Sequence, residues 1–293
     1  EKTGTDETTE SHIVLNTKLH QPQLTQDLIF REHIIDQLES NLNKPLSLIA
    51  APAGYGKSVT VSQWLEKTKA LHTWISLDAE HNNLKIFLIY FQTAIEKVFP
   101  DVLHKTGKLI SATILPPVNV IIHSLINELD KIEHEFILVL DDYHLIHTES
   151  IHQLINGLVQ FPPENMHLCI LTRKDPPLKL NKLLLQNRIT EIRMQDLSFS
   201  QEEIVALFQK AFKLNLRDET VVQIMEKTEG WIVGLRMAFL NVKSEEEVTN
   251  TISSLRGDMY SITSFAVDDI LKKQTPEIQE LLLISSVLNR LSA

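Results

Sequence analysis

A formal net charge of −10 over 293 residues works against nonspecific binding to a polyanion, which requires clustered Lys and Arg. One cysteine, Cys169, excludes a disulfide within the chain, twelve scattered histidines show no zinc-ligand spacing, and no apolar run approaches the about 20 residues that a membrane-spanning helix needs. At 43% hydrophobic and 23% charged residues the composition is that of a globular protein set in a reducing cytoplasm, and its length favours at least two domains.

The first residues, EKTGTDETTESH, are polar and acidic and read as a disordered tail over 1–12. Short apolar runs then alternate with longer amphipathic ones, the pattern of strands joined by helical crossovers. LSLIAAP (46–52), HTWISLD (72–78), FILVLDD (136–142), HLCILTR (167–173) and TEIRMQDL (190–197) are the expected strands. The segments 57–68, 84–99, 118–132 and 148–160 carry apolar residues at helical spacing, as in Phe87, Tyr90, Phe91, Ala94 and Val98. The fold class expected is α/β, with a five-stranded, mainly parallel sheet.

After about residue 199 the strand signals stop. SFSQEEIVALFQKAF opens with a serine followed three residues later by glutamate, a capping box starting an amphipathic helix. Further helical patterns fall at 217–228, 231–242, about 258–272 and 275–287, and LLLISSVLNRLSA ends without tapering into polar sequence, as if cut from something longer. KSEEEV (243–248) reads as solvated surface.

The chemistry concentrates at APAGYGKS, residues 51–58, between the first strand and the helix marked by Val59, Val61, Trp64 and Leu65. It ends as the phosphate-binding pattern G-x-x-x-x-G-K-[ST] does but begins with alanine. Such a loop aims backbone N–H groups at phosphate from a helix N-terminus. Ala53, Gly54, Tyr55, Gly56, Lys57, Ser58 and Val59 are the candidate nucleotide contacts: Lys57 to reach the β- and γ-phosphates, Ser58 to ligate Mg²⁺, and the glycines to allow close approach. Ala51 sits where an extended backbone suffices, which alanine adopts freely. FILVLDDY supplies two carboxylates at a strand's C-terminal end, where open α/β sheets place ligands: Asp141 to hold Mg²⁺ and Asp142 to polarise attacking water. The separation from Lys57 to Asp141 suits a P-loop ATPase with an added strand between its two motifs. Arg173 ends the next strand, in reach of a γ-phosphate. His144 lies near these acids, but a structural or surface role is favoured for it, and Cys169 reads as a small core residue.

Taken together, TKLHQPQLTQDLIFREHIIDQL (17–38), APAGYGKSVTVSQWL (51–65), WISLD (74–78), LVLDDYHLI (138–146), LTR (171–173), LSFSQEEIVALF (197–208) and TEGWIVGLRMA (228–238) resemble the ATPase module of the large ATP-binding LuxR-type transcription activators, a group within the signal-transducing ATPases with numerous domains. The resemblance implies a P-loop nucleotide-binding domain over 13–199, a helical lid over 200–256 and the start of a winged-helix domain over 257–293. It implies that APAGYGK is a common form of the loop, that Arg31 lies near the nucleotide, and that Leu28 and Ile29 touch adenine. EGWIVGL (229–235) falls where related ATPases carry a glycine-x-proline segment, and proline is absent here.

It further implies a switch in which ADP holds a closed form, ATP and inducer open it for self-association, and slow Mg²⁺-dependent ATP hydrolysis resets it. A γ-phosphate held by both sheet domain and lid would supply the differential contact. Inducer would act through a C-terminal sensor, and DNA would be bound only through a C-terminal helix-turn-helix, neither being in this chain. No membrane contact is implied. The competing readings are a turnover ATPase or phosphotransferase using the same loop, and a signalling scaffold without a DNA-binding part.

Overall fold

In the computed structural model, which describes residues 13–254 apart from 69 and 241, the most continuous apolar segments form inner strands, because a strand without a polar face must be covered on both sides. Strands β1 (Leu46–Ala50), β3 (Phe136–Asp141) and β4 (Met166–Thr172) are buried at every position, whereas β2 (Leu71–Ser76) and β5 (Ile189–Arg193) are only partly so. The order is β2-β3-β4-β1-β5, and every pairing is parallel. The expected five-stranded parallel α/β sheet is present, and β4 lies between the strand leading into the loop and the strand bearing the acids.

Period-2 alternation sends successive residues to opposite faces. Leu46, Leu48, Phe136, Leu138, Leu140, Leu168 and Ile170 join one core, and Ile49, Ile137, Val139, Cys169 and Leu171 join the other. The first is covered by residues of α3 (Leu84–Glu96), α4 (His104–Ile110), α5 (Val118–Leu129) and α6 (Glu149–Gln160). The second is covered by Ile34, Ile35 and Leu38 of α1 (Glu32–Glu39) and Val61, Trp64 and Leu65 of α2 (Lys57–Lys67). Cys169 is fully enclosed, and burial pushes its thiol up, so it is inert packing.

The strand expected to continue to residue 197 ends at Arg193. Asp196 Oδ2 accepts from Arg193 N at 2.7 Å and turns the chain into α8 (Met194–Leu197). Helices α1, α4 and α7 (Asn181–Leu185) add to those read from periodicity.

The described residues divide into two compact units, 13–26 with 30–197, and 27–29 with 198–254. In the second, the capping box is realised: Ser200 Oγ accepts from Glu203 N and Glu203 accepts from Ser200 N, opening α9 (Gln201–Leu207). A π turn (Phe208–Phe212) then stops at Lys213, whose φ is 59°. α10 (Asp218–Thr228), α11 (Ile232–Ala238) and α12 (Glu245–Ser254) follow, the last incorporating part of the acidic KSEEEV stretch. Phe199, Ile204, Leu207, Phe208, Ile224, Leu235 and Phe239 form this unit's core, and Ile29 packs against it. Gly230 has φ +71°, and a Cβ there would lie 2.6 Å from both N and O of Phe199. Only glycine fits. The helices expected beyond 257 and the winged-helix start over 257–293 lie outside the described residues.

His167 lies inside the sheet unit. Its Nδ1 is 2.6 Å from Lys44 O and must donate, which leaves Nε2, 3.0 Å from Ser47 Oγ, to accept. Burial depresses its pKa from 6.5 to about 4. A histidine with a lowered folded pKa contributes stability above its unfolded pKa that is lost as pH falls. His167→Gln should therefore flatten the pH dependence of unfolding by about 2 kcal/mol between pH 7.5 and 5, as read from urea midpoints of the two proteins.

Candidate functional site

Because the strands are parallel, their C-terminal ends emerge on one edge, and β1, β3 and β4 deliver the loop, the acid pair and Arg173 there. The loop starts at Ala51, whose N donates to Thr172 O at 3.2 Å, fixing the end of β1 against β4. Ala51 has no positive φ; the left-handed positions are Gly54 (82°) and Gly56 (76°). The pattern's first glycine is thus dispensable, whereas its second, Gly56, and the additional Gly54 are not. Gly56 is the N-cap of the 11-residue α2, and Thr60 N donates to Gly56 O at 2.8 Å. The first N–H groups of α2 therefore begin at the loop.

Lys57 folds back over this loop. Its ammonium donates to Ala51 O at 2.7 Å and Pro52 O at 3.0 Å, and the residue is only 8% exposed. Among the described residues no carboxylate lies within ion-pair distance of it. Burial, followed by the charge of Arg173, lowers its pKa, with Asp141 and Asp142 opposing more weakly. It is a buried cation without a direct counterion.

Across from it, Ser58 Oγ donates to Asp141 Oδ2 at 2.8 Å, and Asp142 N donates to Asp141 Oδ1 at 2.9 Å. Burial and the neighbouring Asp142 push the Asp141 carboxyl up to about 6. Asp142 adopts a left-handed backbone, φ 56° and ψ 35°, and its side chain is 44% exposed. Two adjacent carboxyls thus occupy opposite environments, one enclosed and hydroxyl-bonded, the other open to solvent. The hydroxyl and carboxylate of Ser58 and Asp141 form a hard-oxygen pair of the kind Mg²⁺ selects, a cation that keeps waters and takes few protein ligands; among the described residues no cluster of three or more His, Cys, Asp or Glu could hold a metal by itself.

His144 joins this group, although the sequence favoured a structural or surface role. Its side chain is 12% exposed, Nδ1 stands 3.8 Å from Asp142 Oδ1, and that nitrogen has no hydrogen-bond partner among the described residues. Burial depresses its pKa to about 4, with Arg173 and Lys57 reinforcing and Asp142 opposing. It is neutral at pH 7. The signal available was its position two residues beyond the acid pair. Tyr143 between them is buried, with its hydroxyl 2.9 Å from His152 Nδ1, and anchors the turn.

The remaining residues expected at the site make contacts within their own units. Arg31 is buried, and its guanidinium donates to Leu197 O at 2.8 Å and Asp196 O at 3.1 Å, so it ties backbone. Leu28 and Ile29 belong to the second unit, where Leu28 O accepts from Lys210 Nζ at 2.7 Å. The EGW segment turns the chain at Gly230, and a Cβ on Gly234 would meet the Trp231 ring at 2.4 Å.

Against this geometry, the HTH-type transcriptional regulator MalT of Yersinia enterocolitica is 26% identical over 284 residues, 96% of this chain and 31% of that protein. The MalT of Yersinia pestis (strain Pestoides F) is 27% identical over the same length. The resemblance to the LuxR-type activators holds. The chain spans about a third of the length of these relatives. A signal transduction ATPase with numerous domains and a tetratricopeptide repeat sensor, from Pyrococcus horikoshii, shares the fold with a TM-score of 0.51 at 15% identity, over 92% of this chain and 36% of that one. No family model matches. The fold is that of the P-loop NTPases.

Restoring the standard first glycine tests the conformational argument. Ala51→Gly should leave nucleotide affinity within about twofold while lowering stability by about 0.5–1 kcal/mol, measured by calorimetric titration with ADP and by denaturant unfolding. A large gain in affinity would show that the alanine constrains the loop.

Proposed function

We propose that this chain is the ATP/ADP-responsive core of a cytoplasmic LuxR-type transcription activator, a switch that controls self-association and is reset by slow ATP hydrolysis. The observation that carries the reading is Lys57: a buried ammonium without a direct counterion, at the N-terminus of α2, over a loop with two left-handed glycines. A polyphosphate supplies the missing anion, and Lys57 together with the loop from Ala53 to Val59 binds it.

Ser58 and Asp141 would hold Mg²⁺, which neutralises charge on the phosphate oxygens. Asp142, open to solvent beside the buried acid, orients the attacking water. Neutral His144 stands 3.8 Å from its carboxylate. Arg173, whose charge already acts on Lys57, reads the γ-phosphate. ADP lacks that group, so exchange of ADP for ATP adds contacts at Lys57 and Arg173 that only one state makes, which is what a population shift requires. Arg31, Leu28 and Ile29 complete the nucleotide surroundings in this reading, and the helical unit acts as lid.

The nucleotide that accompanies the purified protein, released by acid and identified chromatographically, should be ADP, and replacing it with ATP should raise the mass seen by light scattering. Rapid multiple turnover with no retained ADP would instead mark a working ATPase. At the site, Lys57→Ala should weaken both nucleotides by roughly ten- to a hundredfold, a charge-assisted hydrogen bond being worth about 1.5–3 kcal/mol. Asp142→Asn should keep binding and lose most hydrolysis. Undiminished phosphate release by that variant would remove Asp142 from its role.

A further inference from the structure

On the sheet unit, α6 and α7 border a groove of about 210 Å³ with Val159 and Leu183 inside it and Lys179, Lys182 and Arg188 around it. Val159 and Leu183 are buried, whereas the three cations are exposed. Among the described residues none of the three has a carboxylate within ion-pair distance or a side-chain hydrogen bond. Beside these positions in sequence, Phe161 is 61% exposed and Leu185 is 89% exposed. Large apolar side chains held in water next to unpaired cations describe an interface without its partner.

The partner must be acidic and carry apolar anchors. Three cations gathered on a chain of net charge −10 are an exception to its general field, and that same field repels a long polyanion. The adjoining cavity, which shares Arg188, is also lined by Glu135 and Glu164. These acids disfavour nucleic acid. A second copy of the chain, by contrast, offers what the groove lacks. At the start of α12, Glu246 and Glu247 are exposed, and Glu246 has no partner among the described residues. Leu240, shortly before them, is 72% exposed.

We propose that the groove at α6 and α7 docks the acidic start of α12 of a second copy of this chain. The inference rests on the proposed self-association and adds the surface that carries it. Because the groove and the acidic turn are different patches, the contact is heterologous: each copy keeps one free groove and one free acidic turn, so assembly continues beyond a dimer. Its exposed charges make it weaken with added salt.

Reciprocal charge reversal tests this. One variant carries Lys182→Glu and Arg188→Glu, another Glu246→Lys and Glu247→Lys. All four side chains are exposed, and thermal melts with ADP titration check that each variant folds and binds. In saturating ATP at low salt, each variant alone should be monomeric by sedimentation velocity, and an equimolar mixture should recover assemblies larger than dimers. Wild-type assembly unchanged in either reversed variant, or a mixture that stays monomeric, overturns the surface while leaving the self-association reading standing. A wild-type chain that remains monomeric in both ATP and ADP overturns both. Binding of a labelled DNA duplex by the wild type, abolished by Lys182→Glu with Arg188→Glu while the assembly mass is unaffected, would make the groove a polyanion site and overturn the proposal.

Discussion

The bond from the Lys57 ammonium to the carbonyls of Ala51 and Pro52 is the constraint around which the sheet edge is arranged. A buried cation is costly unless hydrogen-bonded or paired, and here the acceptors are backbone oxygens freed where β1 ends. For a side chain on the first turn of α2 to reach back to them, the intervening loop must double over itself. Gly54 and Gly56 provide this with φ of 82° and 76°, conformations that cost an L-residue about 1–2 kcal/mol. The end of β1 must also be immobile, and it is. β1 pairs with β4 on one side and β5 on the other, and Ala51 N is held by Thr172 O. The order of the strands and the conformation of an eight-residue loop are therefore parts of one solution.

The same edge holds a second group in an unfavourable state. Asp141, on β3, is enclosed with Ser58 and pushed up to about 6 by burial and by Asp142, while burial and Arg173 push Lys57 down. They affect each other's titration without forming a contact pair. Each charge is disfavoured by its surroundings and neither neutralises the other directly. A ligand that brings an anion to the lysine and a cation to the carboxylate relieves both at once, and a nucleotide with magnesium has that composition. Perturbed groups held in this way are a common mark of functional sites, and the geometry adds to that statistical argument.

The loop was legible in the sequence because its chemistry is local: glycines, lysine and hydroxyl act within eight residues of one another. The inner strands were legible because burial on both faces makes them almost wholly apolar. What periodicity could not show was set by distant partners. The strand over 190–197 stops at Arg193 because Asp196 caps the turn, and an aspartate in a run of strand formers does not announce which donor it will accept from. His144 depends on enclosure by neighbours far apart in sequence. Leu28 and Ile29 look continuous with Arg31 in the sequence, yet they fall in the helical unit and Arg31 in the sheet unit, a division that no local pattern encodes.

Arg31 has a part in holding the fold together as well. The chain passes between its two units around residue 27, again around residue 29 and finally after Leu197. Arg31 stands just beyond the second passage, and its guanidinium holds Leu197 O and Asp196 O at the third, while its backbone N lies 3.4 Å from Gln63 Oε1 on α2. α2 is the helix that begins at the phosphate loop. One buried residue therefore joins the loop's helix, through its backbone N, to the point where the backbone leaves the sheet unit, through its guanidinium. Carbonyls buried at such a junction require donors, and arginine, with five N–H groups in a rigid plane, satisfies two of them from a single anchored position. A lysine would present its three N–H groups from one point at the end of a flexible stem. The requirement is for the planar fork, and it arises from the backbone at the exits of the sheet unit.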